Sequence, residues 1–232
     1  MRYRFLFIIT MMMAGALWPM LSLAEFIEVK GFQYEVEKER KEATVHRYVG
    51  KSKSVVIPKS IKHEGVEYPV TGINNRAFRD SQMQKRIRKI IIGDAVRSID
   101  DNTFEGCSDM ASVTIGKSVS TIGYSAFSGC SSLVRIEIPC SVASIGRFAF
   151  YECLSLESIV IGENVAHIGD WSFAHCNKLK TITCRGAVVP KVDQDTFKYI
   201  NTKVITLVVP NSAVEEYRKA VGWGEFGLII DI

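Results

Sequence analysis

The chain reads as a right-handed repeat solenoid, a β-rich α/β fold with a parallel strand ladder, short helical turns and a C-terminal capping helix. Three observations predict it. Apolar residues recur every 23 positions through the middle of the chain. Two of the recurrent rows lie two residues apart, the spacing of a strand that buries one face. The flanks lose the period but carry hairpin and helix signals suited to closing the ends of a stack.

Composition supports one large domain or two small ones. The 232 residues are 47% hydrophobic and 23% charged, too apolar for a disordered chain. The formal charge of +4 falls to +2 if Arg2 and Arg4 are removed with a leader, too little for the basic footprint of a nucleic-acid binder. Residues 1–24 read as such a leader: a basic head, an apolar run from Phe5 through Leu17, and Ser22-Leu23-Ala24 as a small-x-small cleavage site. The run is long enough to anchor in a membrane instead; Trp18, Pro19 and the cleavage box favour the leader. The expected location is therefore exported: periplasmic, cell-surface or secreted.

Residues 25–89 form an expected N-terminal cap with a degenerate repeat. Phe32 to Val36 and Ala43 to Val49 alternate like a hairpin, and Val55 to Phe78 repeats the later pattern imperfectly. An insertion around Gln82 to Lys89 precedes the regular part and holds the one concentration of positive charge, Lys85-Arg86-x-Arg88-Lys89, with Arg76 and Arg79 nearby. That run is either a solvated insertion or a docking patch for an acidic glycan or protein.

Residues 90–181 hold four 23-residue units. Phe104, Phe127, Phe150 and Phe173 are in phase, as are Cys107, Cys130, Cys153 and Cys176. The rows beginning at Ile90 and Ile92 are the strand. A turn follows at Gly93, Gly116, Pro139 and Gly162, since proline has no N–H to continue a ladder. Asp100, Gly123, Gly146 and Gly169 make a further row that suggests positive φ. The residue before each phenylalanine is small (Ala77, Thr103, Ala126, Ala149, Ser172), as a tight helical turn against the next coil requires. A 23-residue unit cannot bury its own apolar face, so the units must stack with parallel strands about 4.8 Å apart.

Residues 182–232 read as a partial repeat and C-terminal cap. Thr206 to Val209 is a last strand; Ser212 and Glu215 form a capping box for a helix from about Ala213 to Val221, with Val214, Tyr217 and Val221 on one face and Gly222 as its stop. Trp223, Phe226 and Ile229 supply an apolar plug.

Units such as Leu133 to Cys153 (LVRIEIPCSVASIGRFAFYEC) resemble the BspA-type leucine-rich repeat family of bacterial surface proteins, whose units run L-x-x-I-x-IP-x-x-V-x-x-IG-x-x-AF-x-x-C. Val209 to Phe226 resembles a frequent ending of that family, VP-x-x-x-x-x-x-Y-x-x-A-x-x-W-x-x-F. The resemblance implies a leucine-rich-repeat solenoid exported by a bacterium of the gut or oral Bacteroidetes type, with a role in adhesion, cell-surface interaction or co-aggregation.

Candidate chemistry is sparse. Stacked coils bring equivalent cysteines within disulfide range, but their Cβ vectors run parallel, so free buried thiols are expected; Cys184 lies in the aliphatic row and Cys140 at a polar turn position. No C-x-x-C occurs, and His46, His63, His167 and His175 are dispersed, as surface positions, so no metal site is expected. Gly123-Tyr124-Ser125-Ala126-Phe127 lacks the closing glycine of a nucleophile elbow, and Asp193 and Asp195 read as turn residues. No enzyme and no cofactor is expected. The expected binding surface is the outward side of the strand ladder: Lys89 and Ile91, Ser112 and Thr114, Arg135 and Glu137, Ser158 and Val160, Thr181 and Thr183. Its partner would be protein or glycan, with membrane contact only through the export signal; the alternative is a structural or assembly component of the envelope with no diffusible ligand.

Overall fold

The computed structural model describes residues 24–79 and 85–232. The leader, apart from Ala24, and residues 80–84 of the insertion lie outside the described residues.

The chain opens with an antiparallel sheet. Strands β1 (Glu25–Val29) and β2 (Phe32–Glu37) are joined by Lys30 and Gly31, with φ of 49° and 80°. A two-residue loop with both residues left-handed matches the twist of a hairpin, and glycine takes the larger share of the strain at no steric cost. β3 (Glu42–Tyr48) pairs with β2, as the alternation of residues 32–49 predicts; β1 is an addition that the sequence pattern did not reveal. β4 (Ser54–Ile57), β5 (Ser60–His63) and β6 (Val66–Ile73) follow, and the first sheet runs β1-β2-β3-β6-β5.

The solenoid is built on two parallel ladders. The long one joins β4 to β7 (Lys89–Ile92), β9 (Ser112–Thr114), β11 (Arg135–Glu137), β13 (Ser158–Ile161), β15 (Thr181–Cys184), β17 (Thr206–Val209) and β18 (Leu228–Asp231). The second joins the two-residue strands β8 (Ser98–Ile99), β10 (Thr121–Ile122), β12 (Ser144–Ile145), β14 (His167–Ile168) and β16 (Lys191–Val192). Register is in phase: Ile136 lies beside Ile159, and Ile159 beside Ile182. Pairing persists beyond residue 181, with Thr181 beside Thr206 and Thr206 beside Leu228, so coils of slightly altered length continue to the last strand.

Between the ladders the core is a column of rings. Phe127, Phe150 and Phe173 are fully buried, with centroids 5.4 and 5.5 Å apart and planes within 2° of parallel. Phe78 and Phe104 extend the column at one end and Phe197 at the other. Each such side chain contributes very roughly 1.5–3 kcal/mol by leaving water.

The row of Asp100, Gly123, Gly146 and Gly169 does not adopt positive φ. Its glycines answer a different need: a Cβ on Gly146 would stand 2.6 Å from the carbonyl carbon of Gly123, and one on Gly169 2.7 Å from Arg147 N. Coils touch backbone to backbone here, which only glycine permits. The left-handed residues come slightly later in each coil. Asn102, Ser125, Phe148 and Trp171 have φ of 55°, 51°, 58° and 59°, and Gly106, Gly129, Glu152 and His175 form a second such row. Each directs its N–H into the next coil, as in Phe148 N to Asp170 O (2.9 Å) and Gly129 N to Tyr151 O (2.8 Å). The segments carrying the small residues before each phenylalanine are tight turns rather than helical ones.

The C-terminal cap departs from its sequence pattern. The capping box does not form: Asn211–Ala213 is a 3-10 turn, and α1 (Val214–Lys219) starts without a side-chain cap. Ala213 N instead bonds Pro210 O, while Glu215 pairs with Arg218 at 2.6 Å. Because α1 ends at Lys219, Val221 falls beyond the buried face and is 87% exposed. Tyr217, Trp223 and Phe226 are buried and close the column, and Ile229 belongs to β18.

Candidate binding surfaces

The ten strand-face residues all lie on the long ladder, and none is buried. Lys89, Ser112, Thr114, Arg135 and Glu137 are exposed; Ile91, Ser158, Val160, Thr181 and Thr183 are half-buried by their neighbours across the strands. Arg135 stands between Ser112 and Ser158, and Glu137 reaches two coils along to pair with Arg185 at 2.8 Å. Beside them Lys180 bonds Glu157 at 3.0 Å and holds its carboxyl below the usual carboxylate range. Both pairs are exposed and screened by solvent, so they serve mainly to order the surface. The face is small-polar and close to charge-balanced.

A second surface lies where the left-handed turns stack. Rings of Tyr124, Phe148, Tyr151, Trp171, His175 and Tyr199 touch in sequence, from Tyr124–Phe148 (5.6 Å) and Phe148–Trp171 (5.9 Å) to His175–Tyr199 (4.7 Å). Arg147 lies over Phe148, and Lys198 over Tyr199. In the earlier coils the matching left-handed positions are Asn102, Ser125, Gly106 and Gly129, three of them residues that tolerate such backbone best; in the later ones Phe148, Trp171, His175 and Tyr199 accept a cost of about 1–2 kcal/mol each. Ring-to-ring contact offsets part of it. The cluster was hidden from sequence reading because it draws on several rows of the repeat: Phe148 and Trp171 share one, while Tyr124 and Tyr151 belong to others.

The six cysteines are free, with Cys140 exposed and the others buried. Ladder thiols donate to the phenylalanine carbonyl of the preceding coil, as in Cys153 Sγ to Phe127 O (3.3 Å). Burial pushes the Cys107, Cys176 and Cys184 thiols up to about 12 and those of Cys130 and Cys153 well above 9. Such thiols are poor nucleophiles.

The histidines lie at the surface, His46 exposed and the other three half-buried, and each also packs on a specific neighbour. His167 Nε2 lies 3.1 Å from Asp193 Oδ1, His46 sits edge-on to Phe26, and His175 stacks on Tyr199. His63 joins Glu25 and Glu64, a trio within reach of one cation. Its Nε2 lies 3.2 Å from Glu25 Oε2. Lys38 Nζ stands 2.8 Å from Glu25 and 3.1 Å from Glu64, so its ammonium already supplies the positive charge that the two carboxylates need. Asp195 pairs with Lys198, and Ser125 is buried among the left-handed turns with no histidine bonded to it. The basic run leaves Lys85, Arg86, Arg88 and Lys89 exposed around a buried Ile87, with Arg76 and Arg79 also exposed. No helix among the described residues is long and apolar enough to cross a membrane.

Comparison with known proteins places these features in a lineage. No curated protein matches the chain. Among solved structures, a leucine-rich repeat protein of T. pallidum is 23% identical with a TM-score of 0.60, covering 89% of this chain and 86% of its own. The pneumococcal vaccine antigen PcpA is 21% identical with a TM-score of 0.68 over 82% of this chain, which spans 51% of PcpA. These likenesses establish the parallel-strand solenoid. The model of the BspA type leucine-rich repeat region matches six times between residues 71 and 204, more than half of the chain, as the resemblance of Leu133 to Cys153 implies. The chain belongs to the BspA-type leucine-rich repeat family.

Proposed function

We propose that the protein is a non-enzymatic, exported binding module that engages a protein or glycan through the outward face of its long strand ladder. One observation carries this reading: the ladder presents an open row of side chains over successive parallel strands, with Arg135 and Glu137 near its centre, while five of the six thiols are buried. A flat, small-polar, charge-balanced sheet suits a large polar partner, for which many modest contacts add. Proteins built of these repeats generally act as binding modules, which agrees. The Arg135→Ala/Glu137→Ala variant tests it: partner capture from surface extracts should fall at least tenfold. Capture unchanged in that variant removes the strand face from the mechanism.

A second reading is an assembly component of the envelope. It is favoured by β18, which ends the ladder with Leu228 and Ile230 exposed and one backbone edge free for another strand. Sedimentation at high concentration separates the two: a strict monomer argues against assembly.

A further inference from the structure

The N-terminal sheet does not sit flush on the first coil. Between them opens a cleft of about 590 Å³, walled by Phe32, Tyr34 and Tyr48 on one side and by Val55, Pro58 and Ile61 on the other. Its size falls within the roughly 300–1,000 Å³ of small-molecule sites, and its walls are mostly apolar and aromatic, as such sites require.

The walls are held in place before any ligand arrives. The Tyr48 hydroxyl donates to Ser52 O at 3.2 Å and accepts from Ser52 N at 3.0 Å, which fixes ring and loop together. Gly50 lets that loop close, since a Cβ there would meet the Tyr48 ring at 2.8 Å. Tyr34 is 1% exposed, and its ring forms part of the wall.

Charge at the mouth selects the ligand's sign. Lys30 and Lys62 line the rim, and neither forms an ion pair among the described residues. Glu67, which also lines the cleft, accepts from the Ser60 hydroxyl at 2.5 Å and keeps its charge, so the lining carries two positive charges against one negative. Two unpaired ammonium groups over an aromatic wall fit one chemistry.

We propose that this cleft binds a small amphipathic anion, an acyl or aryl carboxylate whose body lies against Tyr34 and Tyr48 and whose carboxylate meets Lys30 and Lys62. The cleft adjoins the β4 end of the long ladder, but none of the ten strand-face residues lines it, so loss of one site leaves the other testable.

Calorimetric titration of the whole exported chain with dodecanoate, kept below its micellar concentration, tests the proposal. Saturable one-to-one binding is expected, at least tenfold tighter than that of dodecanol. Lys30→Glu/Lys62→Glu should weaken dodecanoate at least tenfold and leave dodecanol unchanged. Val56→Trp, placed at an exposed residue of the cleft, should abolish both while thermal melting stays that of the parent. No saturable binding, equal affinity for dodecanol, or binding that survives Val56→Trp overturns the proposal.

Discussion

Replacing Phe150 by alanine strikes the ring column at its best-ordered point. The side chain is fully buried, with Phe127 at 5.4 Å and Phe173 at 5.5 Å on its two sides and both planes within 2°. Truncating a buried phenylalanine costs about 3–5 kcal/mol, and losing two aromatic partners worth about 0.5–1.5 kcal/mol each places this site at the upper end. Neighbouring coils are held apart by their own backbone hydrogen bonds, so the cavity cannot collapse to recover the loss. With a urea slope of about 2.5 kcal/mol/M, a 5 kcal/mol loss moves the midpoint by about 2 M. Far-UV circular dichroism across a urea series reads that shift. Phe148→Ala is the control: the same residue type, half-buried in the surface cluster, should cost about 1 kcal/mol. A midpoint shift under about 0.4 M for Phe150→Ala with unchanged slope, or equal shifts for the two variants, would refute the column as the source of stability.

Gly146→Ala forces a methyl to 2.6 Å from the Gly123 backbone and should destabilise by about 3 kcal/mol despite being the smallest possible change, which the same urea series reports. Glu152→Gly should instead gain about 0.5 kcal/mol, because Gly106 and Gly129 fill the equivalent left-handed positions one and two coils back. Buried Cys107, Cys176 and Cys184 hold their protons in the fold up to about pH 12, and Cys130 and Cys153 well above 9, but all five release them near pH 9 when unfolded, so their contribution is complete below pH 9 and is lost as pH rises above it; urea midpoints should fall steadily from pH 9 upward. At pH 8 a colourimetric disulfide reagent should titrate Cys140 alone in the native chain and all six cysteines in urea; fast reaction of a second thiol would contradict the buried ladder.

What the sequence made legible was whatever repeats in phase. Rows of Ile, Val, Phe and Cys name their own neighbours once coils are stacked, so the ladders and the free thiols follow from a single period. Features set by contacts between unlike positions were harder to see. The glycine at 146 is equally consistent with a positive φ and with close approach, and only the 2.6 Å distance to Gly123 decides between them. The aromatic cluster mixes Tyr124, Phe148 and Tyr151, which belong to different rows. His63 meets Glu25 only because β1 folds back on β2, a pairing that the short apolar content of residues 25–29 does not announce. The failed capping box at Ser212 shows the limit of local motifs: a 3-10 turn starting at Asn211 supplies the first bonds that the serine would have made.

The in-phase register of the ladders carries a consequence for how such a chain can change length. A cut at any one phase of the 23-residue unit exposes the same two surfaces, one ending in Phe127 and the next beginning with Phe150, wherever along the stack it falls. Excising one whole unit therefore leaves seams that match, whereas deleting two or three residues throws ring against strand. Gene-level gain or loss of entire coils is close to neutral for packing, and the reach of the molecule can drift over generations while both end caps stay as they are.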